Sequence, residues 1–337
     1  MHFAAGDRAH NPIIRPASRG IFAAMFVEKK RTWLETVALA GSALPHIWTR
    51  TAFVTGISVL ATLAYLEVPE LHLSFTTTPF VLIGLPLGIF LGFRNNTAYD
   101  RFWEGRKLWG ALVNTSRSIT RQIITMVEPQ PEAVETDPGL IRAHEVLMVH
   151  MVIAFVHTLR HSLRDSDPFP TLLRVLPEDE VENLRGEVNV PIAVLQRLGT
   201  LVVEARRKHW IHPLHVPVIE GSLTAMTDIQ GACERIKTTP IPYSYTVLMH
   251  RLVAVYCTAL PFGLAESIKW LTPVVVLFVS YALFGLDAIG DEIEQPFGLD
   301  PNDLALSTIS RNIERNLRQR LGEELPPAFE PRNGILP

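Results

Sequence analysis

Hydrophobic and polar positions change character abruptly at one place in the chain. From Pro79 to Phe93 no side chain is charged, whereas Arg94, Asp100, Arg101, Glu104, Arg106 and Lys107 follow at once. The polar tract contains no proline or turn cluster, so the pattern predicts one helix passing from an apolar surrounding into a polar one. In its apolar half Gly84, Gly88 and Gly92 recur every four residues, a small-residue stripe that lets helix backbones approach closely in lipid. One position on, about a quarter turn round the helix, stand Leu85, Ile89 and Phe93. Glycines facing neighbouring copies of the helix would turn these large residues toward the axis of a ring. The same spacing also fits an ordinary membrane helix whose large side chains are core.

Four stretches approach the roughly 20 apolar residues that a bilayer span requires: 47–66, 76–93, 243–265 and 270–289. Lys29, Lys30 and Arg31 precede the first, the link to the second lacks Lys and Arg, and the basic tract from Arg94 follows. Because Lys and Arg favour the cytosolic flank, this hairpin is expected to begin and end in the cytosol. Arg235 and Lys237 orient the second hairpin in the same way. The expected organisation is a cytosolic tail (1–32), a first transmembrane hairpin (33–103), a cytosolic helical region (104–239), a second hairpin (240–292) and a cytosolic carboxyl segment (293–337). Within the soluble part helices are expected over 147–163, 187–208, 214–236 and 304–321, the last carrying Arg311, Arg315 and Arg318. Prolines mark 129–138 and 165–170 as loops, and the proline-rich end reads as disordered or wrapped on the surface. No alternating runs bounded by hairpin turns occur, so the fold class is all-α.

Composition agrees with a membrane part joined to a soluble part: of 337 residues 47% are hydrophobic and 19% charged. A net charge of −3 without a basic, aromatic-laced patch argues against nucleic acid as a partner. Cys233 and Cys257 form neither a disulfide framework nor a zinc-spaced cluster, which suits a reducing compartment, and the first thirty residues show no cleavable signal. His157 and His161 stand four apart, close to His150, but lack the carboxylate that would make a metal set, and core or exposed histidines explain them as well. His250 and Arg251 lie inside the third span, where pairing with an acid such as Asp287 would satisfy them. No nucleophile elbow, P-loop, H-E-x-x-H or dinucleotide motif is present, so neither catalysis nor a cofactor is expected.

Four segments in order, IFLGFRNN, RKLWG, ACERI followed by TPIPYSYT, and EQPFG, resemble the bestrophin family, in particular its prokaryotic branch, over about residues 33–321. The resemblance implies a homopentamer in membrane lipid around a single pore, with Leu85, Ile89 and Phe93 forming a hydrophobic neck. It further implies a second, cytosolic constriction at Leu214, with His215 as the alternative because HPLHVPVIEG departs from the family pattern. Of the acidic run that binds calcium in animal members only Asp300 and Asp303 remain, enough for a weak site, or else for a loop in which Asp303 caps the last helix. The implied function is a channel for chloride or other monovalent anions in the inner membrane of a bacterium. A sodium-type cation channel and a non-conducting scaffold are the alternatives.

Overall fold

The computed structural model describes residues 44–68, 75–331 and 336. The expected tail (1–32) lies outside the described residues. Helices α1 (Leu44–Glu67) and α2 (Thr78–Met126) form the first hairpin, and α8 (Tyr243–Ile268) and α9 (Thr272–Glu294) the second. Between them come α3 (Pro138–Leu163), the short α4 (Phe169–Leu172) and α5 (Glu178–Glu182), α6 (Val190–Arg207), a 3-10 turn (Pro213–His215) and α7 (Val216–Thr238). After the second hairpin α10 (Leu306–Leu321) ends at Gly322, whose φ of 79° is the left-handed conformation that stops a helix. The described residues contain no strand, only an isolated bridge between Val127 and Ile211.

Local chemistry moves several expected boundaries. Helix α3 begins at 138 rather than 147, because the Asp137 side chain accepts from the Gly139 amide and Pro138 occupies the first turn, where its missing N–H costs nothing. The expected loop 165–170 runs into α4 for the same reason, Pro170 falling within the first turn. Asp303 does not cap α10. That helix starts after Ala305, and Asp303 Oδ2 instead accepts from the Asp300 amide at 2.7 Å.

Length and apolarity single out Ile47–Glu67, Thr78–Met126, Pro138–Leu163 and the α8–α9 pair, Tyr243–Glu294, as able to cross a membrane. Burial separates α3 from the others: half of its apolar window is inside the chain, against 17% for α2 and 28% for the α8–α9 pair. Every residue of α3 from 151 to 159 is buried, among side chains of α2, α6, α7 and α10, so its apolarity belongs to a protein core. By contrast α1, upper α2, α8 and α9 bury one stripe each (Val54, Leu91, Val253, Val276 and neighbours) and expose Phe53, Leu60, Leu82, Val255 and Phe278. Such a surface suits lipid and not water.

The apolar and polar halves are joined chiefly on α2, which crosses both as 49 continuous residues. Arg101 donates to the Ile236 carbonyl at 2.6 Å, to the Thr239 carbonyl, and through Nε to the Glu294 carbonyl at 3.0 Å. One side chain thereby satisfies orphan carbonyls at the ends of both α7 and α9, where a cation is also favoured by the helix dipoles. A turn lower, Phe297 of the EQPFG segment lies against Gly105, where a Cβ would come within 3.0 Å of its ring. Phe297→Ala should lower stability by about 3–5 kcal/mol through the cavity left at this joint. Leu299→Ala, exposed on the same loop, should be near neutral, and chemical unfolding in detergent would compare the two.

Candidate pore-lining site

Helix α2 packs into its own chain with Leu87, Leu91, Arg94 and Ala98, all buried. At about 100° per residue, Leu85, Ile89 and Phe93 lie roughly opposite this stripe. Their exposures are 71%, 51% and 60%, so the described residues supply no partner for that face. The glycines divide. A Cβ on Gly84 would stand 2.6 Å from the Tyr256 hydroxyl, which places this glycine against α8 of the same chain, whereas Gly88 and Gly92 meet nothing within 4 Å. A four-residue step overshoots a full turn by about 40°, so a stripe that starts against α8 winds outward.

Directly below the apolar half, Arg94 is 1% exposed and donates to Asp287 Oδ1 at 2.8 Å and to Asp291. His250 Nδ1 lies 2.7 Å from the other Asp287 oxygen. The expected partnership of His250 with Asp287 is therefore present, while Arg251 is exposed. Arg94 and Asp291 were not foreseen. Arg94 reads as the first residue of a solvated tract, and only its phase with Leu87 and Leu91 marks it as inward. His250, Asp287 and Asp291 offer ligand atoms within 4.8 Å of one another, a spacing that could hold a metal ion. The Arg94 guanidinium already bridges both carboxylates there and offsets the charge of one. Next to it the Asn95 side chain donates to the Leu286 carbonyl at 3.0 Å, and a Cβ on Gly290 would meet Asn95 Oδ1, so any larger residue at this crossing would displace the Asn95 side chain.

Leu214 is 75% exposed in the 3-10 turn, where His212 Nδ1 accepts from its amide at 3.3 Å; His215 is half-buried. The preceding residues are pinned to the far end of α2 by Glu128 N–H donating to the Trp210 carbonyl at 2.7 Å and Gln130 N–H to that of His209 at 2.8 Å. Along α2 this end is about 50 Å from Phe93 at 1.5 Å per residue. Asp300 is exposed, but Asp303 is buried, and burial pushes its carboxyl up to about 6. The two do not converge as an open pair of carboxylates.

A sequence model of the family described as bacterial/fungal bestrophin protein matches residues 25–319. The chain belongs to the bestrophins. It is 40% identical over 300 residues to a voltage-dependent anion channel-forming protein of Ralstonia nicotianae, covering 89% of this chain and 95% of that one. A protein of the same description from Mesorhizobium japonicum is 36% identical over 291 residues, covering 86% and 89%. The crystal structure of a bacterial bestrophin homolog from Klebsiella pneumoniae superposes with a TM-score of 0.76 at 32% identity, covering 82% of this chain and 99% of that one.

The soluble core of this bestrophin holds one further polar pair. His157, expected as a core or exposed residue, is buried in α3 with Nε2 3.0 Å from Glu314 of α10. Burial pushes the imidazole below its ordinary value. Among the described residues its Nδ1 is buried without a partner, which a neutral ring protonated on Nε2 tolerates and an imidazolium does not. Burial works to raise Glu314, yet the His157 hydrogen bond and the charges of Arg311 and Arg318 outweigh it and hold the carboxyl down to about 2. His161 is not drawn into the pair; it meets Ser166 and Thr171.

Both shifts make acid destabilising. The unfolded chain takes up a proton at His157 below its ordinary 6.5, which the fold resists, and at Glu314 below 4.5, which the fold resists down to about 2. Thermal midpoints should fall in two stages on acidification, below pH 6.5 and again below pH 4.5. Glu314→Gln should flatten the second stage.

Proposed function

We propose that this bestrophin is a channel for monovalent anions, chloride foremost, built as a homopentamer in the bacterial inner membrane with both termini cytosolic. Leu85, Ile89 and Phe93 form its neck, and Leu214 the cytosolic aperture. The observation that carries the reading is the apolar face of α2 that no other described residue covers, in a chain whose relatives are named as anion channel-forming proteins. An apolar constriction offers no replacement for an ion's hydration shell, so width and wetting decide whether ions pass. Such a neck carries no charge and sets no sign preference. Below it the same face of α2 continues with the exposed Asn96, Asp100, Lys107, Asn114 and Arg121, two bases against one acid. That balance favours anions over cations. Asp300 and Asp303 supply too few oxygens for more than weak calcium binding.

Reversal potentials of the purified protein in lipid bilayers under a potassium chloride gradient should lie toward the chloride equilibrium potential. A potential on the cation side would overturn the anion reading while leaving the channel intact. In single-channel recordings Ile89→Ala should raise the current, and Ile83→Ala, about a third of a turn round the helix from it, should not. The reverse result would reassign the axial face.

Among the described residues nothing lies within 4 Å of a Cβ on Gly88, and this glycine is placed here between copies. Gly88→Leu should break the ring, read as loss of the intact oligomer in native mass spectrometry.

A further inference from the structure

Beyond the pore, the carboxyl-terminal segment lies along α10 and encloses a recess. Glu323 pairs with His150 and Arg318 at 2.8 Å each, Arg315 donates to the Pro326 carbonyl, and Phe329 lies 5.3 Å from the Arg311 guanidinium. The recess has a volume of about 430 Å³, with Thr171, Arg174, Arg311, Glu314 and Arg318 on its walls and 324–327 along its edge. That volume is in the range of small-molecule sites.

The charges in and around it do not close. Arg318 is fully engaged, by Glu314 at 3.1 Å, Glu323 at 2.8 Å and the Arg174 carbonyl at 3.3 Å. Glu314 is shared between His157, Arg318 and, at 3.5 Å, Arg311. Among the described residues Arg311 Nε is buried with no acceptor, and the exposed Arg174 makes no ion pair. An unsatisfied buried donor beside an uncompensated guanidinium calls for an acceptor carrying negative charge. Arg160 is held down to about 10 chiefly by burial, with the charges of Arg164, Arg311 and Arg174 lowering it further against Glu314. The exposed Glu324 at the rim is the remaining acid. Val175, Leu325, Pro326 and Pro327 complete the walls with apolar surface.

We propose that this recess binds a small organic anion, a phosphate or carboxylate head held by Arg174 and Arg311 with a short apolar body against Val175 and the proline-rich edge. The site is independent of the pore, and its test needs no ion conduction.

Isothermal titration of the full chain in detergent with phenyl phosphate should show saturable binding, with inorganic phosphate weaker and uncharged benzyl alcohol absent. Arg174→Gln should weaken phenyl phosphate by about tenfold, the loss of one charge-assisted contact, whereas Arg207→Gln on α6 should leave it unchanged. Glu324→Gln, at an exposed rim position, should tighten it. The proposal is overturned if the unaltered protein binds neither anion, if benzyl alcohol binds as well as phenyl phosphate, or if affinity ignores both Arg174→Gln and Glu324→Gln.

Discussion

A guanidinium buried where a helix leaves its apolar surrounding is the constraint on which the membrane half depends. Arg94 has no access to water, so its charge persists there because Asp287 and Asp291 from α9 reach it, with His250 from α8 on the far side of Asp287. Burying an ion pair costs desolvation that its mutual attraction only roughly offsets, so its main effect is on geometry rather than net stability. Three helices must meet at one height and one rotation for the carboxylates to find the guanidinium. Once α2 is fixed in this rotation by its inward arginine, its opposite side is fixed too. The outward placing of Leu85, Ile89 and Phe93 is thus a consequence of where Arg94 points.

About two turns further along, Arg101 repeats the principle with backbone instead of carboxylates. Helices α7 and α9 end on the same side chain, and the chain turns from soluble to membrane helix at Pro240 and Pro242 immediately after α7. The Glu294 carboxylate then accepts from the Ile241 amide at 2.9 Å, closing the loop between the two helix ends. Two of the four quoted segments, ACERI with TPIPYSYT and EQPFG, therefore meet at a residue that belongs to neither.

Much of this was legible in residue order. Runs without charge located the membrane helices, because a charge facing lipid is too costly to be common, and the uninterrupted polar tract after Phe93 correctly implied that α2 continues. The less legible parts depend on local competition or on distant partners. The start of α3 is set by a single aspartate–proline pair, and α4 by prolines whose composition equally describes a loop. The burial of Arg94 depends on carboxylates almost two hundred positions away, and the division of the glycine stripe on Tyr256. Nothing in the spacing of Gly84, Gly88 and Gly92 reveals which one a tyrosine from another helix has claimed.

The unbroken length of α2 has a mechanical consequence. A helix of 49 residues anchored near its middle by Arg94 and Arg101 is a lever with a fulcrum. From Arg101 to Met126 the arm is about 37 Å, so a tilt of about 5° would carry that end sideways by about 3 Å. The arm on the other side, toward Leu85, would swing the opposite way by about 2 Å. Motion at the two ends is therefore opposed in sign and tied in size by the position of the fulcrum, without any relay of side chains between them.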